Sequence, residues 1–430
     1  MNNLTHDIPF YRFFKLPFKN GTRLLERKTL DSLSEFRPPK RGYPSVNVKY
    51  LGFVNEMLTA SISIEKEDVE MVYLKVTQDH LLISCSVDTD EFYLSRYAYF
   101  FLNKYLWFYH EKSFEDYYYP DFFDADNGTS KYLKIVSNSK GLTIKLKDPF
   151  RNLFKPGVSL PIIPLKNEAR INIFLEPKLS DSLENDTPVI AYCILDPSNL
   201  HERYNEEKEL TLLITFTATL NNDKRNFKSL LTYLNSKTIS DGLEFNSGQL
   251  NLNDICEEMW ENSLYFQMKK HKEENYSRTF SERKKLQFDL WKSALPQLVY
   301  ERFMCYQWIY GLRYIRGKPT KKDIRFCQVA ADIPQLKFFL IDKGEYYFLD
   351  LKFMVNGKLS NFAPIFNMFF FAAAEKEPMK FYLLGSMADA EVVSYFSKIS
   401  FRLPVLKKHY DTHWEPFVTQ IAQTYGLKKR

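Results

Sequence analysis

The chain has 430 residues, of which 45% are hydrophobic and 16% are aromatic. This composition excludes a disordered protein, and the length predicts two or three domains. The formal charge of +6, from 59 basic and 53 acidic residues, permits contact with nucleic acid without requiring it.

The first clear elements form a hairpin that runs into a helix. Glu70 to Val76 and Leu81 to Ser86 read as two strands that are joined by a turn at Gln78-Asp79. A helix is predicted from about Glu91, with Asp88 and Glu91 as its capping pair. Its apolar residues recur at helical spacing and predict one buried face. They are Leu94, Tyr97, Ala98, Phe101, Leu102, Tyr105, Leu106 and Tyr109.

The middle of the chain is rich in strand patterns. These runs are Tyr132 to Val136, Leu142 to Leu146, Arg170 to Phe174, Val189 to Leu195 and Glu209 to Thr217. Phe227 to Leu234 is predicted to be a short helix. From Asn253 to about Ile315 the spacing of apolar residues is mainly helical.

The last hundred residues predict a hairpin followed by two helices. Strands at Lys337 to Ile341 and Tyr346 to Val355 lead to a turn near Lys358. Ser386 with Asp389 is expected to cap the first helix. The apolar face of the second helix consists of Trp414, Phe417, Val418, Ile421, Ala422 and Tyr425. These patterns predict an α+β fold with mostly antiparallel sheets and helical insertions.

The patterns also divide the chain into segments. Residues 1–160 contain the hairpin and helix, and residues 161–250 form a β-rich middle region. Residues 251–330 are helical and carry basic and aromatic side chains, and residues 331–430 form a C-terminal α+β region.

Five cysteines are spread along the chain, and no two of them have the spacing of a metal-binding pair. We therefore expect reduced, mostly buried thiols, no bound metal or other cofactor, and a cytoplasmic protein. The longest apolar stretch, Ala363 to Ala374, is interrupted and too short to span a bilayer, so no membrane contact is expected.

One basic segment follows the predicted aromatic helix that contains Tyr306, Trp308, Tyr310 and Tyr314. Its basic residues are Arg313, Arg316, Lys318, Lys321, Lys322 and Arg325. Basic residues interleaved with aromatic ones neutralise phosphates and stack on bases, so this segment is the predicted nucleic-acid surface. The structural alternative is a solvated loop after a buried helix.

A second possibility is a metal-dependent nuclease of the PD-(D/E)xK kind. Asp342, Asp350 and Lys352 supply two carboxylates for a divalent metal and a lysine beside the attacking water. The alternative is an exposed strand face that carries Asp350 and Lys352. His409 and His413, at i, i+4 spacing, are predicted to be a surface pair and not metal ligands.

The hairpin and helix also fit the frame of a zinc finger in which a C-x-C pair ends a strand and a C-x-H pair opens a helix. The corresponding residues here are Cys85, Val87, Ser95 and Tyr97. In this frame, in the segment from Lys112 to Tyr132 and in the stretch from Pro334 to Tyr425, the chain resembles the N-terminal, non-motor region of bacterial Swi/Snf-type helicases with a SWIM-type finger. The last stretch includes the runs Tyr346–Leu349, Phe381–Leu384 and Leu406–Tyr410.

The resemblance implies an accessory part of a DNA-dependent ATPase, with residues 1–160 as a degenerate SWIM-like finger region. Val87, Ser95 and Tyr97 replace three zinc ligands, so zinc binding is not expected, and packing of the aromatic helix would replace the metal. No P-loop or other motor motif occurs in the sequence. We therefore expect no catalysis by this chain alone.

The prediction is a non-catalytic module that docks DNA or a protein partner for a helicase motor in the same polypeptide or in trans. The alternatives are the nuclease and a pure protein-interaction scaffold.

Overall fold

The computed structural model describes residues 12–36, 44–87, 90–138, 141–163, 188–197, 209–223, 226–234, 245–270, 279–309, 311–315, 317–360, 365–373 and 378–430. The chain divides into two units. Unit 1 consists of Met1–Leu160, Ile341–Leu349 and Leu403–Phe417. Unit 2 consists of Pro161–Leu340, Asp350–Arg402 and Val418–Arg430. The predicted α+β fold with mostly antiparallel sheets is confirmed.

Unit 1 is built around an antiparallel sheet. The elements up to residue 160 are Phe14–Pro17 (β1), Leu24–Glu26 (β2), Arg27–Leu33 (α1), Val46–Val54 (β3), Met57–Ile64 (β4), Glu70–Val76 (β5), His80–Cys85 (β6), Arg96–Tyr105 (α2), Glu111–Ser113 (β7), Leu133–Asn138 (β8) and Gly141–Leu146 (β9). The sheet has the order β1-β6-β5-β4-β3, while β2 pairs with β7 and β8 with β9. Alternate residues of β4 are buried, which is the period expected of a strand with one face in the core.

The predicted hairpin is confirmed, and the predicted helix start is wrong. β5 and β6 pair in antiparallel register. α2 begins at Arg96 because the hydroxyl of Ser95 accepts a hydrogen bond from the amide of Ala98 and caps the helix. Glu91 precedes the helix, and Asp88 lies outside the described residues. Tyr109, placed on the buried face by the sequence pattern, is 54% exposed.

The remaining elements begin at Val189. They are Val189–Pro197 (β10), Leu212–Leu220 (β11), Phe227–Leu234 (β12), Ser247–Glu261 (α3), Leu264–Lys270 (α4), Phe280–Leu298 (α5), Met304–Ile309 (β13), Ile324–Ala330 (β14), Gln335–Asp342 (β15), Tyr346–Val355 (β16), Lys358–Leu359 (β17), Ile365–Asn367 (β18), Phe370–Ala373 (β19), Met379–Leu383 (β20), Met387–Lys398 (α6), Arg402–Leu406 (β21), Lys407–His409 (α7), Glu415–Tyr425 (α8) and Leu427–Lys429 (β22). The division between the units falls within β15, β16, β21 and α8, and α7 belongs to unit 1. The strand predicted at Arg170 to Phe174 lies outside the described residues.

A large mixed sheet forms the centre of unit 2. Its order is β12-β11-β10-β13-β14-β20-β19-β18. The pairs β10/β13 and β14/β20 are parallel, and the other neighbouring strands of this sheet pair antiparallel. Helices pack on this sheet through specific contacts: the hydroxyl of Thr215 donates to Asn253 of α3 at 3.1 Å, and Trp291 of α5 meets Phe370 edge-on at 4.8 Å. A further sheet has the order β17-β16-β15-β22, with β21 beside β16.

Two segments predicted to be helical are strands. Phe227–Leu234 is β12, which pairs with β11, and Met304–Ile309 is β13, which lies between β10 and β14. Both runs contain aromatic residues, which suit a pleated surface. Ladder pairing of β12 with β11, and of β13 with β10 and β14, overrides their ambiguous spacing. Tyr306 and Trp308 therefore lie on a strand and not on the predicted helix.

The C-terminal helices agree with their predicted faces except at Ala422. The hydroxyl of Ser386 accepts a hydrogen bond from the amide of Asp389 at 3.0 Å and caps α6, as predicted. Before α8, the chain forms the short helix α7 and a π-helical turn at Tyr410–Trp414. Trp414 and Ile421 are fully buried, whereas Ala422 is exposed.

All five cysteines are free, and Cys85, Cys193, Cys305 and Cys327 are buried, as expected. Among the described helices, none has the length and apolar character needed to cross a membrane.

Candidate nucleic-acid interface

The predicted nucleic-acid surface lies on the connection between β13 and β14 and at the beginning of β14. Its exposed cations, which we call the basic surface, are Arg313, Lys318, Lys321, Lys322 and Arg325. Arg316, the remaining predicted cation, lies outside the described residues. The connection contains two 3₁₀ turns, Leu312–Tyr314 and Lys321–Asp323.

Contacts with β12 hold this connection in place. The amide of Tyr233 donates to the carbonyl of Gly317 at 3.0 Å, and the ammonium of Lys321 donates to the carbonyl of Phe227 at 2.7 Å. Gly317 has a φ of +63°, a conformation that favours glycine. Leu312 is buried and anchors the first turn. These contacts position Gly317 and Lys321 relative to β12.

The basic surface carries one acid, Asp323, in the same 3₁₀ turn as Lys321 and Lys322. Within the part of the chain that the structure describes, no carboxylate forms an ion pair with Lys318, Lys322 or Arg325. By contrast, Lys284 of the same unit pairs with Glu391 at 3.3 Å. A cluster of unpaired cations produces a positive potential that attracts phosphate.

Aromatic side chains accompany these cations. Trp308 and Tyr314 are 41% and 58% exposed. Tyr306 lies opposite Arg325 in the ladder, and Trp308 is two residues further on the same face of β13. The guanidinium of Arg313 donates to the hydroxyl of Tyr314 at 2.8 Å and lies 4.9 Å from the centre of its ring. Exposed rings beside cations are the components of a single-strand binding surface.

Sequence reasoning missed Asp196, which the structure brings to this face. Its carboxylate accepts a hydrogen bond from the hydroxyl of Tyr306 at 3.2 Å. Burial raises the pKa of Asp196 and that of Tyr306. No local pattern could have identified Asp196, because only the parallel pairing of β10 with β13 brings it to Trp308.

The residues of the alternative nuclease site have other partners. Asp350 is 5% exposed, and its oxygens accept hydrogen bonds from Nε and Nη2 of Arg402 at 2.7 and 2.6 Å. The alternative expectation, that Asp350 lies on an exposed strand face, is therefore wrong. Lys352 is exposed, and its ammonium lies 5.9 Å from the ring centre of Phe339.

Asp342 belongs to unit 1 and is bound by Lys407. Its carboxylate accepts hydrogen bonds from the ammonium of Lys407 and the amide of Gly344, both at 2.8 Å, and the lysine is the main cause of a lowered Asp342 pKa. Among the described residues, no three His, Cys, Asp or Glu side chains are grouped as a metal site requires. Metal-dependent cleavage stays a prediction.

The four positions of the zinc-finger frame have structural roles. Cys85 ends β6 and is buried, which raises the pKa of its thiol, and Val87 packs against the core of unit 1. Ser95 caps α2. Tyr97 is partly buried, and its hydroxyl donates to Glu67 at 2.9 Å. Burial and this hydrogen bond raise the Tyr97 pKa to about 12.

The predicted surface pair of histidines is wrong for one member. His409 is 2% exposed, and its Nε2 lies 3.1 Å from the carboxylate of Asp121, while His413 is exposed. Burial lowers the pKa of His409, against the opposing effect of Asp121. The turn formed by α7 and the following π-helical residues carries His409 into the core.

Comparison of this chain with protein-family models, with curated proteins and with solved structures found no match.

Proposed function

We propose that the chain is a non-catalytic, nucleic-acid-binding module that holds single-stranded DNA on the basic surface. The observation that carries this proposal is the group of exposed cations, Lys318, Lys322 and Arg325 among them, beside Trp308 and Tyr314. The cations neutralise phosphates, and the rings stack on bases.

The exposed rings favour a single strand over a duplex. Stacking on an aromatic side chain is worth about 1–3 kcal/mol for each base, but a base must leave its duplex before it can stack in this way. Trp308 and Tyr314 therefore add affinity for unpaired bases. The phosphate contacts do not depend on sequence, so we expect weak sequence preference from the basic surface itself.

The resemblance to the non-motor region of Swi/Snf-type helicases suggests the setting in which this binding is used. Such a module would deliver DNA to a helicase motor in the same polypeptide or in trans. The motor, the bacterial origin implied by the family and the cytoplasmic location all stay predictions. A pure protein-interaction scaffold is the alternative in which the basic surface binds no DNA.

The test is a binding titration on the full chain with fluorescently labelled single- and double-stranded oligonucleotides. The variant combines Lys318→Glu, Lys322→Glu and Arg325→Glu and keeps Lys321, because Lys321 also holds β12. We expect the single strand to bind more tightly than the duplex and the variant to bind about tenfold more weakly or worse.

The matched control combines Lys358→Glu, Lys428→Glu and Lys429→Glu, which changes the net charge equally on exposed residues of another sheet. Its affinity should remain close to that of the native chain. If both variants bind equally weakly, net charge alone explains the loss of affinity, and the proposal is contradicted. A parallel titration with magnesium or manganese tests the nuclease, which predicts cleavage that is abolished by Lys352→Ala.

A further inference from the structure

A cavity of about 300 Å³ lies in unit 2 between β12 and the beginning of β14. Asn221 and Asn226 line it beside Phe227 and Phe326, and the carboxamide of Asn226 also donates to the carboxylate of Asp223 at 3.5 Å. Lys321 of the basic surface also lines the cavity. This volume is at the lower end of the range of about 300–1,000 Å³ found for small-molecule sites, so it suits one ring system and not a large ligand.

The chemistry of the lining indicates what the cavity accepts. The rings of Phe227 and Phe326 pack with their centres 4.7 Å apart, and Phe326 is only partly buried, so it presents an aromatic surface to a ligand. Carboxamides carry both donors and acceptors and read the edges of bases. An aromatic surface with amide groups suits a planar, polar-edged heterocycle.

Lys321 links this cavity to phosphate. Its ammonium donates one hydrogen bond to the carbonyl of Phe227 at 2.7 Å, and an ammonium has three donors. Lys321 is exposed and adjoins Lys322. A heterocycle in the cavity therefore has a cation beside it for an attached phosphate, which is the composition of a nucleotide.

We propose that the cavity receives one unstacked base of a strand bound at the basic surface, an inference that rests on the proposed function. Proteins that read single strands stack splayed bases on aromatic side chains and bind their edges by hydrogen bonds. The basic surface supplies affinity for any strand, and the cavity adds a preference among bases.

The experiment compares the affinities of the full chain for oligo(dA), oligo(dC) and oligo(dT) of equal length. The first variant combines Asn221→Ala and Asn226→Ala, and the second, Ile324→Trp, fills the cavity from a partly exposed position that lines it. The control combines Asn47→Ala and Asn251→Ala, two exposed amides outside the cavity. Thermal unfolding confirms that each variant is folded.

We expect the native chain and the control to distinguish the best from the worst oligonucleotide about fivefold or more. Both cavity variants should reduce this ratio to about twofold or less while keeping the salt dependence of binding. A ratio that both cavity variants retain, or a native chain that binds all three equally, would overturn the inference. A native chain that binds no oligonucleotide would instead refute the proposed function.

A competition with free nucleoside monophosphates separates the two sources of a base. If displacing the bound oligonucleotide needs far more free monophosphate than unlabelled oligonucleotide, the cavity is a site for a base within a strand. Binding of monophosphates by a chain that binds no oligonucleotide would assign the cavity to a free nucleotide and overturn the inference.

Discussion

The sequence predicts different settings for Asp342, in a turn after a strand, and for Asp350, on an apolar strand, and their surroundings differ as well. Asp350 is buried and receives two hydrogen bonds from Arg402, whereas Asp342 is exposed and pairs with Lys407. A carboxylate that is taken out of water needs its partner, because an unpaired buried charge is costly. Sequence spacing located both residues but could not identify either partner, which lies more than fifty positions away.

Removal of the Asp350 partner should destabilise the fold. Arg402→Ala leaves the buried carboxylate without its two donors, and we expect a loss of roughly 2 kcal/mol, since Arg402 itself is partly exposed. Urea unfolding measures the change. The matched variant, Lys407→Ala, breaks an exposed pair and should leave the unfolding midpoint nearly unchanged. Equal effects in both variants would contradict the assignment.

His409 should make the stability of the chain depend on pH. The groups that face it are Asp121, His413 and Lys408, and burial lowers the pKa of His409 below its unfolded value of about 6.5. The unfolded chain therefore binds the proton first, so stability present near pH 7 is lost as the pH falls from about 6.5 to the lowered pKa of His409 in the folded chain.

The variant His409→Gln should lose less stability than the native chain between pH 7 and pH 5. Urea unfolding at each pH measures the difference, and His80→Gln, at an exposed histidine, controls for the loss of one imidazole. Parallel stability curves for the native chain and His409→Gln would refute the argument.

Among the helices and strands, alternating and capping residues predict the element correctly wherever the local pattern and the tertiary contacts agree. The strands β5, β6 and β16 and the cap of α6 are examples. The failures are β12, which forms a hairpin with the preceding β11, and β13, whose parallel partner β10 lies far earlier in the chain. The start of α2 was misplaced because Asp88 and Glu91 gave a plausible cap before Ser95, which the helix uses.

The hairpin and α2 should be stable without metal. Cys85, Val87, Ser95 and Tyr97 pack or form hydrogen bonds in place of a ligand set. We expect a chelator to leave the melting temperature unchanged, and Cys85→Ala to cost only about 1 kcal/mol, as for a small truncation in a core. Metal analysis that finds stoichiometric zinc, together with a lower melting temperature after chelation, would contradict this account.

At the scale of the whole molecule, the sequence revealed one half of the candidate site. The cations from Arg313 to Arg325 are adjacent in the chain, so composition alone located them. Asp196, Asn221 and Asn226 reach the same unit from about a hundred positions earlier through the order of the large sheet. Their part in the site could not be predicted, because parallel pairing and strand order leave no local signal.

The salt dependence of single-strand binding reports directly whether DNA phosphates contact the basic surface. Each phosphate contact contributes about −0.7 to the slope of log affinity against log salt concentration. We predict that Lys318→Glu, Lys322→Glu and Arg325→Glu together make the slope shallower by about 2, while the Lys358, Lys428 and Lys429 control retains the native slope. Identical slopes for the native chain and the basic-surface variant would show that DNA does not bind there.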